Sequence, residues 1–278
     1  MCAAFGLASC SSKANAPAVV PPSSLARRVI AAPADGGPVL QMVHILSMVV
    51  PVADDLAEIA VYADGTIVTT TWAYDRSPAS PALHRGTISA QQLDAVVESI
   101  QRAGLGDDES TFIPSGEQIA DGSATLFVVR ANGRTAAVWA DQLDTVEHHR
   151  LVPERWAALR DLSQRLRSIE SLATEPVVGD WTMRIEPLDP SFAHDQPSWP
   201  GPSFSSVDEP WGPGRRRCAI VAAEEARSAL AALADHQIFT DHGVVARVSL
   251  RPLLPHEHTC SDTAIGNVDL LRPARASS

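Results

Sequence analysis

Two histidines flank a glutamate in the stretch RPLLPHEHTC, residues 251–260, and a cysteine follows two positions after the second histidine. Imidazole and thiolate are the usual ligands of zinc and copper, and on a strand His256 and His258 would share a face. His236 and His242 flank the preceding predicted strand, so these four residues form the candidate site of a metal-dependent hydrolase. The competing reading is that Pro252 and Pro255 end the strand and leave His-Glu-His as a hydrated loop. Only two ligands are local, whereas a closed site needs three or four. No metal ligand, cofactor or catalytic residue is therefore assigned. The chain has no phosphate-cradling Gly-rich loop, no H-E-x-x-H, no paired C-x-x-C and no G-x-S-x-G elbow. Glu224-Glu225 read as first-turn helix acids, Asp54-Asp55 and Asp107-Asp108 as loop acids, and His148-His149 as a polar connector. A protein that is not an enzyme is the expectation.

Cysteine carries the stronger signal. Leu7-Ala8-Ser9-Cys10 has the form of a bacterial lipobox, in which the cysteine is acylated through its thiol and becomes the mature N-terminus. A Ser/Ala/Pro-rich spacer to about Gly37 follows, as a tethered protein needs. Only nine residues precede Cys10 and none is basic, whereas a secretory signal has a positive region and an apolar region. Either the true start lies upstream, or the four-residue match is a coincidence. With Cys2 before the cleavage point and Cys10 lipidated, Cys218 and Cys260 remain, and an even pair in an exported chain reads as a disulfide. The alternative is two reduced thiols in a cytoplasmic protein. The tether and the disulfide stand or fall together on export.

Around these residues the local signals are clear. Asp64-Gly65 and Asn132-Gly133 are type I′ turn dipeptides between β-rich arms, and each predicts a hairpin. Between them, Ser89 and Gln92 are spaced as a capping box, Leu93, Val96, Val97 and Ile100 form a stripe, and Gly104 supplies a stop. A second helix is expected from Pro153, with Trp156, Leu159, Leu162, Leu166, Ile169 and Leu172 at helical spacing. The second half opens on the strand WTMRIEPL and runs into a proline-dense loop over residues 189–214, which Trp199 and Trp211 either pin to the surface or turn into a stacking site. CAIVA, EEARSALAALADH, QIFTD and VVARVSLRPLL then predict β-α-β-β.

The 278 residues, 45% of them hydrophobic, suffice for one large domain or two small ones. With 22 basic against 33 acidic residues the net charge is −11, which repels nucleic acid, and the run Arg215-Arg216-Arg217 is too short to reverse that. The longest apolar run, residues 38–53, falls short of a membrane span and is interrupted by Gln41, His44 and Pro51, so it reads as a buried strand or two strands broken near Pro51.

AVYADGTIV, RRCAIVAAEEARSALAALADHQIF and VSLRPLLPHEHTC together resemble a family of uncharacterised actinobacterial lipoproteins, which carry an LYGDG-type hairpin and a closing RPLLP-x-E-x-x-C motif. The likeness spans roughly residues 37–261 and implies a compartment and a fold class, with no catalytic residue to carry over. The expectation is an α+β protein in which antiparallel β hairpins pack with two or three helices in two loosely separated halves. Residues 1–37 would be signal and tether, 38–175 and 176–262 the halves, and 263–278 a flexible tail. The expected role is a lipid-anchored binding or interaction module on the extracytoplasmic face of the cell membrane. Its partners would be the membrane, through the anchor, and an envelope protein or small ligand, with no cofactor and no nucleic acid.

Overall fold

The dipeptide and capping signals are where the chain turns and where its helices begin. The structure, a computed structural model, describes residues 32–46, 56–73, 80–105, 111–115, 123–131, 133–211, 215–233 and 235–263. Cys2, Cys10, Asp54-Asp55, Asp107-Asp108 and Asn132 lie outside them.

Strands β1 (Leu40–Leu46), β2 (Ile59–Val61), β3 (Thr66–Ala73) and β4 (Ser80–Thr87) precede helix α1 (Ala90–Arg102). Then come β5 (Thr111–Ile113), β6 (Ser123–Ala131), β7 (Arg134–Asp141), helix α2 (Pro153–Glu170) and β8 (Glu175–Pro176). These eight strands form one sheet in the order β5-β7-β6-β1-β2-β3-β4-β8, antiparallel except for the β5–β7 pair. The second sheet takes β9 (Trp181–Pro187), β10 (Glu209–Pro210), β11 (Arg217–Val221), β12 (Ile238–Asp241) and β13 (Val244–Pro252), with helix α3 (Ala223–Leu233) between β11 and β12. Its order is β10-β11-β9-β13-β12 and every pairing is antiparallel. The chain is an α+β protein of two mostly antiparallel sheets and three helices among the described residues.

β1 is central in the first sheet and buried on both faces, which is why its sequence lacks alternation. Leu40 and Met42 pack with Trp156, Leu159, Leu162 and Leu166 of α2 and with Val96 and Ile100 of α1. Val43 and Ile45 point to the opposite face, where Ala60, Tyr62, Val68, Leu126, Val128 and Trp139 form a second cluster. Met183, Ile185, Phe239, Val248 and Leu250 of the second sheet pack with Ala226, Ala229 and Leu233 of α3 in a third.

Helix α1 follows its sequence signals closely. Ser89 is the N-cap, with the reciprocal Gln92 bonds of a capping box. Gly104 takes φ +68°, and Leu105 N–H donates to the Ile100 carbonyl, the longer bond of a Schellman stop. Both expected hairpins form, β2–β3 around Asp64-Gly65 and β6–β7 with Ala131 paired to Arg134, and the first differs in turn type. Asp64 has no positive φ, and only Gly65 (φ +85°) is left-handed, so the β2–β3 connection is a longer loop and not a two-residue type I′ turn. Among the described residues, His242-Gly243 is a two-residue turn with both centres left-handed (φ +46° and +82°), between the paired Asp241 and Val244. Leu172, placed on the α2 stripe, lies beyond the helix end and is exposed.

Candidate functional site

Residues 251–263 leave β13 and cross the face of the second sheet opposite α3. The alternation along β9 puts Thr182, Arg184 and Glu186 on that face. The register sets Cys218 and Ser249 beside Arg184, and Arg251 beside Thr182. The terminal segment meets each of three strands through one of these side chains. The Arg251 guanidinium on β13 donates to both Glu257 carboxylate oxygens, Nη1 to Oε2 at 2.6 Å and Nη2 to Oε1 at 2.8 Å. Cys218 on β11 is bonded to Cys260, with Cα atoms 6.1 Å apart. Arg184 on β9 donates to Thr263 Oγ1 at 2.8 Å.

The Arg251–Glu257 pair is almost fully enclosed, its side chains 4% and 2% exposed. A buried carboxylate is tolerated only when its lone pairs are used, and here Leu254 N–H also donates to Oε2 at 2.7 Å. The His-Glu-His stretch is therefore a hydrated loop only in part: His258 is exposed, but Glu257 is buried as the anchor of the turn. The two prolines shape this geometry: strand pairing ends at Pro252, and Pro255 starts the reversal that brings Glu257 N–H to the Leu254 carbonyl at 2.9 Å.

The same segment touches the first sheet. Leu254 joins the apolar cluster on the face away from the helices, and His256 Nδ1 lies 3.1 Å from the Tyr62 hydroxyl. Around His256 stand Arg130, paired to Asp35 at 2.8 Å, together with Glu257 and Arg251. Burial holds the His256 imidazole below its ordinary value, a shift opposed by Glu257 and reinforced by Arg130. Burial likewise raises the Tyr62 phenol. The Gly37 N–H donating to Asp35, with the help of Arg130, lowers that carboxyl. Asp35 and Gly37, expected in the tether, are thus already held by the folded part of the chain.

The four histidines are dispersed. His256 faces Tyr62; the His258 backbone N–H donates to Asp262 Oδ2; His236 meets Phe239 edge-on; exposed His242 occupies the β12–β13 turn. Among the described residues no group of three or more histidine, cysteine, aspartate or glutamate side chains could hold a metal ion. The arrangement fastens one segment to two sheets.

Two other polar groups carry more structure than their sequence suggested. His149 is buried, and its Nδ1 accepts from the N–H groups of Leu151 and Val152 just before α2, so Nε2 carries the proton and donates to the Pro114 carbonyl at 2.7 Å. It stacks on Trp156, with ring centres 5.0 Å apart, and supplies a cap where Val152 has no capping side chain. A histidine four positions before the proline that leads the helix was the available signal. In the proline-dense loop, Trp199 is buried against Phe204 and Phe239 and pins the loop, while the Trp211 ring lies 3.9 Å from the Arg184 guanidinium.

Comparison with protein-family models, with curated proteins and with solved structures gives no match to this chain.

Proposed function

We propose that the chain is a lipid-anchored module on the extracytoplasmic face of a bacterial membrane, and that it binds a partner or small ligand instead of catalysing a reaction. The observation that carries this reading is the Cys218–Cys260 bond. Disulfides persist in oxidising compartments and are rare where thiols are kept reduced, so a buried cysteine pair bonded across the second sheet fits export. Lipobox-like Leu7–Cys10 and the spacer behind it supply a means of retention at the membrane after export. The RPLLP-x-E-x-x-C pattern, on which the resemblance to actinobacterial lipoproteins rests, forms the fastening of the terminal segment in this chain. Among the described residues no helix is long and apolar enough to cross a membrane, so an acyl chain on Cys10 would supply the anchor.

The test is expression in an actinobacterial host from the native genomic locus. Globomycin, or Cys10→Ala, should leave an unprocessed larger product and, in the variant, remove the acyl-dependent membrane fraction. Unchanged size and partition would overturn the anchor. Stoichiometric zinc in purified protein, lost on His256→Ala with His258→Ala, would instead promote the hydrolase.

A further inference from the structure

The basic triplet that is too short for nucleic acid lines a cleft. Arg215, Arg216 and Arg217, with Pro187 and Pro210, enclose a volume of about 380 Å³ where the β10–β11 hairpin meets the end of β9. That is within the range of small-molecule sites and too small for a folded partner. Among the described residues none that lines it is acidic, although the chain as a whole carries a net charge of −11.

The neighbouring carboxylates, Glu186 and Glu209, are fewer than the three arginines and cancel this positive charge only in part. Arg216 lies 3.7 Å from Glu186, but that carboxylate is shared with Arg247 at 3.2 Å. Arg217 Nη1 donates to the Asp208 backbone carbonyl at 3.1 Å, a neutral acceptor. Among the described residues Arg215 has no ion-pair or hydrogen-bond partner, and Glu209, the nearest acid along the hairpin, accepts from Ser261. The frame is also fixed. Trp211 N–H donates to the Arg216 carbonyl at 3.1 Å, and the Trp211 ring has Arg184 at 3.9 Å and Arg216 at 5.8 Å. The two proline walls have no N–H to offer, so recognition falls to the guanidinium forks.

We propose that this cleft binds a phosphate ester with a small organic group, either a phospholipid headgroup or its water-soluble counterpart. One guanidinium satisfies a carboxylate through a single fork, whereas a tetrahedral phosphate accepts from several donors at once, which suits three adjacent arginines. The volume leaves room for a glycerol-sized substituent beside the phosphate. The site does not depend on the lipid anchor, so its test is separate from that of the anchor.

The experiment uses the full chain carrying Cys10→Ala, so that no acyl chain contributes to binding. One arm titrates sn-glycerol 3-phosphate by calorimetry. The other measures co-sedimentation with phosphatidylglycerol vesicles against phosphatidylcholine vesicles. Binding in either arm should weaken about tenfold or more in Arg215→Ala/Arg217→Ala, as loss of charge-assisted hydrogen bonds implies. Arg85→Ala, at an exposed arginine paired to Glu175, should leave it unchanged. Circular dichroism and an intact disulfide would show that the double variant is folded. Binding in the first arm alone assigns a free ester, and binding to the anionic vesicles assigns the headgroup. No binding in both arms, or equal weakening by the Arg85 control, would overturn the site.

Discussion

Glu257→Ala should lower the unfolding free energy by about 3–5 kcal/mol in urea titrations, because it strands the buried Arg251 guanidinium without its carboxylate. Arg251→Leu with Glu257→Leu should recover most of that loss, since two apolar groups need no partner. A double variant as unstable as the single one would show that the pair does more than satisfy itself. His256 gives a pH signature beside it. Its folded value is depressed by burial, so below pH about 6.5 the unfolded chain takes up a proton that the fold resists. Stability contributed by the neutral imidazole is therefore complete above that pH and falls as the pH drops toward the folded value. In His256→Gln the acid-side decline between pH 7 and 5 should be shallower, as read from denaturation midpoints at each pH. An identical slope in both proteins would place the titration elsewhere. None of this was legible in RPLLPHEHTC, because Arg251 and Glu257 become partners only when the Pro-Leu-Leu-Pro turn folds back.

Helices and turns were more legible than side-chain partnerships, and the difference is one of range. Ser89, Gln92 and Gly104 act on backbone groups within a turn of themselves, so spacing alone reveals them. Asp64-Gly65 marked a reversal correctly but not its geometry, since φ at Asp64 is not positive and in that loop only Gly65 turns left. Gly86 had no local signal. It sits within β4, and a Cβ there would meet the Leu172 carbonyl oxygen just past α2. Gly86→Ala should force the helix end off the strand and destabilise by about 1–3 kcal/mol in urea, an overpacking cost. Ser89→Ala should lose about 1 kcal/mol by the same measurement, through the cap alone.

Two sheets with separate apolar clusters are tied together by one short segment, beside a direct contact of β13 with β4. Residues 254–263 touch the first sheet through Leu254 and His256 and the second through Glu257, Cys260 and Thr263. Cys218→Ala with Cys260→Ala should lower stability by about 4 kcal/mol, the chain-entropy value for a loop closed over 42 residues. Unfolding with and without reductant should reproduce that difference in the parent and abolish it in the variant. Proline-rich residues 189–214 illustrate what composition conveys: a loop was evident, but its anchoring by Trp199 and by Arg184 under Trp211 depends on contacts with β9 and β12.

The position of the fastening also orders events in time. Under the proposed export, a chain delivered N-terminus first presents Cys218 while 42 residues to its partner are still to come. For that interval the thiol meets oxidants, or another cysteine, without its native mate. Correct pairing then waits on the late arrival of the segment that also brings the Glu257 carboxylate to Arg251. Closure then becomes a checkpoint on completed delivery: a chain interrupted before Glu257 lacks the ionic, covalent and hydrogen-bonded attachments together.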